Sequence, residues 1–188
     1  MKLRLPALCL ATVLSLSIGV MAQAQNNRAP AMGTRATPIA QIKDWFNKYD
    51  AIRRQAQMNP QERAKADAML ARGLSMFMPG QDKQQSAALF QTLQSKNAEA
   101  DTELKNLPLY PETEQLHRGY HQYFQDTSNL FADYLRVQSN LMTTDPATGK
   151  PLMGELLNRK KYLEDLDVSN KNLDSDLRNR FKIPAYKY

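Results

Sequence analysis

The feature that most limits how this chain can fold is a pair of apolar stripes whose members are spaced alternately four and three residues apart. Leu116, Tyr120, Tyr123, Thr127, Leu130, Tyr134, Val137 and Leu141 make the first, and Leu152, Leu156, Arg159, Leu163, Leu166, Asn170, Leu173 and Leu177 make the second. A period near 3.5 keeps one face of an α-helix turned toward a partner, whereas a strand needs a period of two. The turn-forming segment Asp145-Pro146-Ala147-Thr148-Gly149-Lys150 lies between them, so the two helices are expected to run antiparallel as a long hairpin. At 1.5 Å per residue each would extend about 40 to 50 Å.

Details along the hairpin follow from the same geometry. Glu155 with Arg159, Asp174 with Arg178 and Asp176 with Arg180 place an acid four residues before a base and read as surface pairs worth tenths of a kcal/mol. Arg159 and Asn170 interrupt the second stripe. Polar groups there cost stability but penalise slipped registers, and a ligand contact is the alternative reading.

Three shorter helices are expected upstream. Thr37 and Pro38 supply a cap and a first-turn proline before Ile39, Ile42, Phe46, Tyr49 and Ile52, in a helix reaching about Met58. Asn59-Pro60-Gln61-Glu62 has the form of a capping box and opens a second helix, whose apolar positions from Ala66 to Phe77 end at Pro79-Gly80. Asp82 is the expected cap of a third, with Leu89, Leu93, Ala100, Leu104 and Leu107 on its apolar face before Pro108. The predicted fold class is therefore all-α, an elongated antiparallel bundle with a long C-terminal hairpin. The Phe181 to Tyr188 tail is expected to lie along it.

The first residues set the compartment. Lys2 and Arg4 precede an apolar run from Leu5 to Met21 that closes on Ala22-Gln23-Ala24, the pattern of a secretory signal peptide cut after Ala24. Residues 1–24 are then a signal peptide, 25–37 a flexible leader and 38–188 a single helical-bundle domain in a periplasmic or secreted protein. No later stretch is apolar enough to span a membrane. The only cysteine, Cys9, leaves with the signal, which removes disulfides, thiolate metal sites and cysteine nucleophiles from the mature chain.

Without Lys2 and Arg4 the 25 basic residues fall to 23 against 19 acidic ones, a formal charge of +4. These charges are interspersed and form no basic stripe with interleaved aromatics, so nucleic acid is not an expected partner. No serine or threonine sits in a glycine-flanked turn, no glycine-rich phosphate loop occurs, and Asp165 with Asp167 or Asp174 with Asp176 point to different helix faces and read as solvated surface. The expectation is a non-enzymatic protein without a cofactor.

Two constellations remain. Tyr120, Tyr123, Phe124, Phe131 and Tyr134 form an aromatic group along the fourth helix, a candidate surface for an envelope protein or an amphipathic ligand. Glu114, His117 and His121 lie one turn apart on a single stripe and are the alternative, a copper or zinc site, although a di-iron bundle would need a second Glu-x-x-His and a hydrolytic zinc site a His-Glu-x-x-His. Met69, Met76 and Met78 read as adaptable core filler, with Cu(I) binding as the sharper alternative. The stretch Met58-Asn59-Pro60-Gln61-Glu62-Arg63 resembles the Leu-Thr-x-x-Gln element of small periplasmic stress chaperones, with Asn59 in place of threonine, glutamine one position early and no second copy. Capping alone selects such a sequence, and no function is carried over from it. Whether the hairpin seam closes within one chain or in a homodimer is left open by the residues themselves.

Overall fold

The apolar periods become five helices: α1 (Ile39–Ala56), α2 (Pro60–Ala71), α3 (Gln81–Lys105), α4 (Glu114–Ser139) and α5 (Leu152–Phe181). The structure is a computed structural model that describes residues 36–71 and 76–187. The signal peptide, its cleavage point, the leader through Arg35 and Tyr188 lie outside the described residues. Among those residues there is no strand, only an isolated bridge between Thr144 and Pro151 in the α4–α5 turn. No described helix is long and apolar enough to cross a membrane. The chain is an all-α bundle, with α4 (26 residues) and α5 (30 residues) forming the C-terminal hairpin.

Helix α4 is the central element. It packs most extensively on α3 and next on α5, while α1 crosses α3 and touches α5, and α2 rests on α3 alone. The buried face of α4 is accordingly wider than a hairpin stripe and includes Phe124, Asp133 and Gln138. Two apolar clusters result. One joins Trp45, Phe46 and Tyr49 of α1 to Leu104, Leu116, Tyr120, Phe124 and Leu177. The other joins Leu130 and Val137 to Leu152, Leu156 and Leu163, with Phe77 against them.

The capping box is formed as expected: the Asn59 amide donates to Glu62 Oε2 at 2.8 Å and the Glu62 amide to Asn59 Oδ1 at 2.8 Å. Lys96 of α3 adds a 2.7 Å ion pair to the same carboxylate, which anchors the otherwise lightly packed α2. Other ends differ from expectation. Pro38 rather than Thr37 occupies the cap of α1, because its carbonyl accepts the first intrahelical bonds, from the Gln41 and Ile42 amides at 2.9 and 3.2 Å, while the Thr37 amide is bonded to Glu112 Oε1 at 3.0 Å. Gly80, at φ 144°, takes the cap of α3, and Asp82 sits instead in the first turn, where its charge complements the helix dipole. Helix α2 is described through Ala71, residues 72–75 lie outside the described residues, and Met76 and Phe77 form a short 3-10 turn rather than a continuation of an α-helix. Helix α4 stops at Ser139 because Asn140 is extended, so Leu141 leaves the seam and is exposed.

The polar seam residues have definite partners. Arg159 pairs with Asp133 of α4 and, at 2.6 Å, with Asp145 of the turn. Asp145 also accepts the Ala147 amide at 2.8 Å, and its backbone bonds Lys150 and Gly149, the latter at φ 69°. Asn170 is buried where α5 passes α4 at Gly119, and a Cβ at Gly119 would lie 2.2 Å from Asn170 Oδ1 and 3.0 Å from its Cγ. Gly119→Ala is therefore expected to destabilise by about 1–2 kcal/mol, overpacking outweighing the roughly 1 kcal/mol gain in helix propensity. Urea unfolding followed by the single Trp45 tests this, and adding Asn170→Ala should recover most of the loss.

The reading of Asp174 and Arg178 as surface residues is corrected. Both are 3% exposed. Asp174 accepts Arg178 Nε at 3.0 Å and Arg53 of α1 at 3.2 Å, and Arg178 continues to Asp50 and to the Pro184 carbonyl at 2.8 Å. The Arg53 guanidinium lies 4.7 Å from the Tyr120 ring centroid and 4.1 Å from that of Tyr186. Lys182, in the left-handed region, turns the tail back after α5, the Ile183 amide bonding Arg178 O at 2.9 Å. The tail thus seals a charge cluster that ties α1 to α5.

Candidate functional site

Between the two apolar clusters the bundle is open. Side chains of α1 pack over the first half of α4, Tyr49 lying 5.2 Å from Tyr120 ring to ring, and α1 ends at Ala56, while α2 leans on α3, so among the described residues a gap over α4 from Tyr123 to Tyr134 is left between α2 and α5. The result is a groove of two adjoining hollows of about 290 and 350 Å³, which share Met58, Leu93, Tyr123, Thr127, Phe131 and Asp167. The larger hollow is walled by Met69, Met76, Leu89 and Phe90 on the α2–α3 side and by Leu163 on α5. Phe90 stacks between Phe131 and Tyr134, with centroids 6.0 and 5.0 Å away, which fixes the aromatic wall.

The aromatic group named from the sequence is split by this arrangement. Tyr123, Phe131 and Tyr134 are half-buried and line the groove. Tyr120 and Phe124 are each 2% exposed and belong to the core, forming only the floor at the α1 end. Burial and the nearby Asp167 carboxylate push the Tyr123 hydroxyl up to about 12, so it is a neutral hydrogen-bonding group. Asp167 itself is half-buried at the groove wall and pairs with Lys171 at 2.6 Å, and Lys160 pairs with Glu164. Met69 and Met76 line the groove, whereas Met78 is exposed and lines neither hollow. Phe90 and Leu93 from α3 and Leu163 from α5 also wall the groove, and their only sequence signal is membership of an apolar helix face.

The histidine stripe is arranged differently. His117 Nε2 donates to the Leu104 carbonyl at 2.8 Å, satisfying the C-terminal end of α3. His121 Nδ1 contacts Asp101, which also pairs with Lys105 at 2.7 Å, while Glu114 is taken by Arg118 at 2.5 Å. The three side chains face three different partners, and among the described residues no group of three or more His, Cys, Asp or Glu converges on a point where a metal ion would be held.

These contacts predict the direction of pH dependence. Burial lowers the His117 pKa below its usual 6.5. Burial raises that of Glu62, but Lys96 and the Asn59 amide outweigh it and the net shift is downward. The Ala147 amide, reinforced by Arg159, lowers that of Asp145. In all three cases the unfolded chain binds protons first, so their contribution is complete above the unfolded values and is lost as pH falls through the folded ones. Asp126, raised by burial, opposes them at the acid end. Melting temperature should be flat above about pH 7, decline gently below about 6.5 and fall steeply below about 4.3. A midpoint that climbs between pH 7 and 5.5 would contradict this, and His117→Gln should remove the gentle stage alone.

No protein-family model, no curated protein and no solved structure matches this chain.

Proposed function

We propose that this chain is an exported helical-bundle protein that acts by binding rather than by catalysis, and that it holds an amphipathic ligand in the groove over α4. The observation that carries this reading is the groove itself, an apolar trough walled by three aromatic rings of α4, by Phe90 and by Met58, Met69 and Met76. Small-ligand sites are commonly hollows of about 300–1,000 Å³ lined by apolar and aromatic side chains with few polar groups. Methionine suits such a wall because its unbranched, polarizable side chain adapts to different apolar shapes. At the rim Lys160 pairs with Glu164 and Lys171 with Asp167, and among the described residues no acid, base and nucleophile are poised together there. An envelope protein would need a larger contact face, and the volumes favour a small molecule.

Export is supported by Lys2, Arg4, the Leu5 to Met21 run and the Ala22-Gln23-Ala24 site. The secreted product is then expected to begin at Gln25, which N-terminal sequencing checks. The binding reading is tested on that mature chain with the neutral fluorophore N-phenylnaphthylamine. Saturable, blue-shifted emission is expected. Ala66→Glu places a carboxylate at the trough from lightly packed α2 and should weaken binding about tenfold or more with little change in melting temperature. Emission unchanged by Ala66→Glu would mean that the dye sits elsewhere and would overturn the reading.

A further inference from the structure

The two ends of the groove differ in charge. The end near α1 is lined by Arg53, Arg63 and Lys171 against Asp167 alone, and the far end by Lys160 against Glu164 and Asp167. Arg53 is neutralised by Asp174 and Lys171 by Asp167. Lys160 is neutralised by Glu164. Arg63 is exposed on the first turn of α2 and pairs with no carboxylate among the described residues. From Arg63 the trough leads away past Tyr123 and Phe131 to Met76 and Tyr134, becoming more apolar as it goes. A guanidinium with no carboxylate partner among the described residues, at one end of an apolar channel, complements a molecule with an anionic head and one apolar tail.

Length points the same way. Tyr123 and Tyr134 are 11 positions apart on α4, about 17 Å at 1.5 Å per residue, close to half of the roughly 30 Å hydrocarbon layer of a bilayer and so to one acyl chain. A docking helix of that length would have only about three turns and would be marginal alone in water. Resting on the binding function proposed above, we infer that the occupant is a single-chain anionic amphiphile of the fatty-acid type, its carboxylate held by Arg63 and its tail laid along Tyr123, Phe131 and Met76.

The experiment is displacement of N-phenylnaphthylamine from the mature chain by three monomeric ligands with the same dodecyl tail: laurate, dodecyl maltoside and dodecyltrimethylammonium. Laurate should displace the dye at the lowest concentration and the cationic ligand at the highest. Arg63→Glu should weaken laurate about tenfold or more, the loss of one charge-assisted hydrogen bond, while leaving dodecyl maltoside within about twofold. Arg63→Lys should keep the order of the three. Equal displacement by all three heads, or a laurate curve indifferent to Arg63→Glu, overturns the head-group assignment while the groove stands. Failure of every ligand to displace the dye, together with dye binding that ignores Ala66→Glu, removes both.

Discussion

Asp174→Ala is expected to cost about 3–5 kcal/mol, a large part of the 5–15 kcal/mol that holds a typical domain together. Asp174 is 3% exposed and is shared by both buried guanidiniums, Arg178 at 3.0 Å and Arg53 at 3.2 Å. Asp50, Arg53, Asp174 and Arg178 together are neutral; removing Asp174 takes from Arg53 its 3.2 Å ion pair and leaves Arg178 with Asp50. Aromatic faces soften the loss, since Arg53 sits over Tyr49, Tyr120 and Tyr186, but a cation–π contact is worth only about 1–2 kcal/mol even when desolvated. Urea unfolding followed by Trp45, which is 1% exposed and stacked on Tyr49, whose ring centroid lies 5.2 Å from the Arg53 guanidinium, reads the effect directly. Replacing the whole arrangement by neutral residues of similar volume, Asp50→Asn and Asp174→Leu with Arg53→Met and Arg178→Met, should be milder than the single change, because an uncompensated buried charge costs more than no charge. A single variant within about 1 kcal/mol of the parent would show that water reaches the cluster and screens it.

The same cluster marks where reading residues in order stops being informative. The pair Asp174 and Arg178 has the spacing of a surface ion pair, and nothing within α5 distinguishes it from one. Its burial depends on Arg53, 121 positions earlier, and on the tail folding back through Pro184 and Tyr186. Local signals fared differently. The Asn59–Glu62 box needs only four consecutive residues, and the α4 and α5 stripes need only their own period, so both are legible before any tertiary contact exists. The aromatic group was legible as a stripe but not as a site. Tyr120 and Phe124 are lost to the core because α1 overlies that half of α4, and Tyr123, Phe131 and Tyr134 stay accessible because α1 ends at Ala56, a fact written in α1. The histidines follow the same rule: their spacing is visible, while their partners Leu104 and Asp101 come from α3.

Arg159→Met is the complementary test, because it removes the cation from a cluster built largely of carboxylates. Asp133 and Asp145 have side chains only 7% and 4% exposed, and Arg159 of α5 reaches both, which locks α5 to α4 and to the turn between them. Arg136 retains a 3.2 Å contact with Asp133, and Arg159 itself is 35% exposed, so the expected loss is about 2–3 kcal/mol, below the full cost of an orphaned buried charge. Sliding α5 by one heptad along α4 would move Arg159 about 10 Å from Asp133 and bring a residue other than Asn170 against Gly119. The apolar members of the stripe tolerate such a slip far better, since a leucine replaces a leucine. Arg159 therefore contributes to specificity as well as stability, and its removal should reduce the urea dependence of unfolding along with the midpoint, as alternative registers become populated. Pairing Arg159→Met with Asp133→Asn should recover part of the loss in a double-mutant cycle, with a coupling of about 1 kcal/mol or more. Additive single effects and an unchanged slope would instead assign Arg159 a packing role through its aliphatic stem alone.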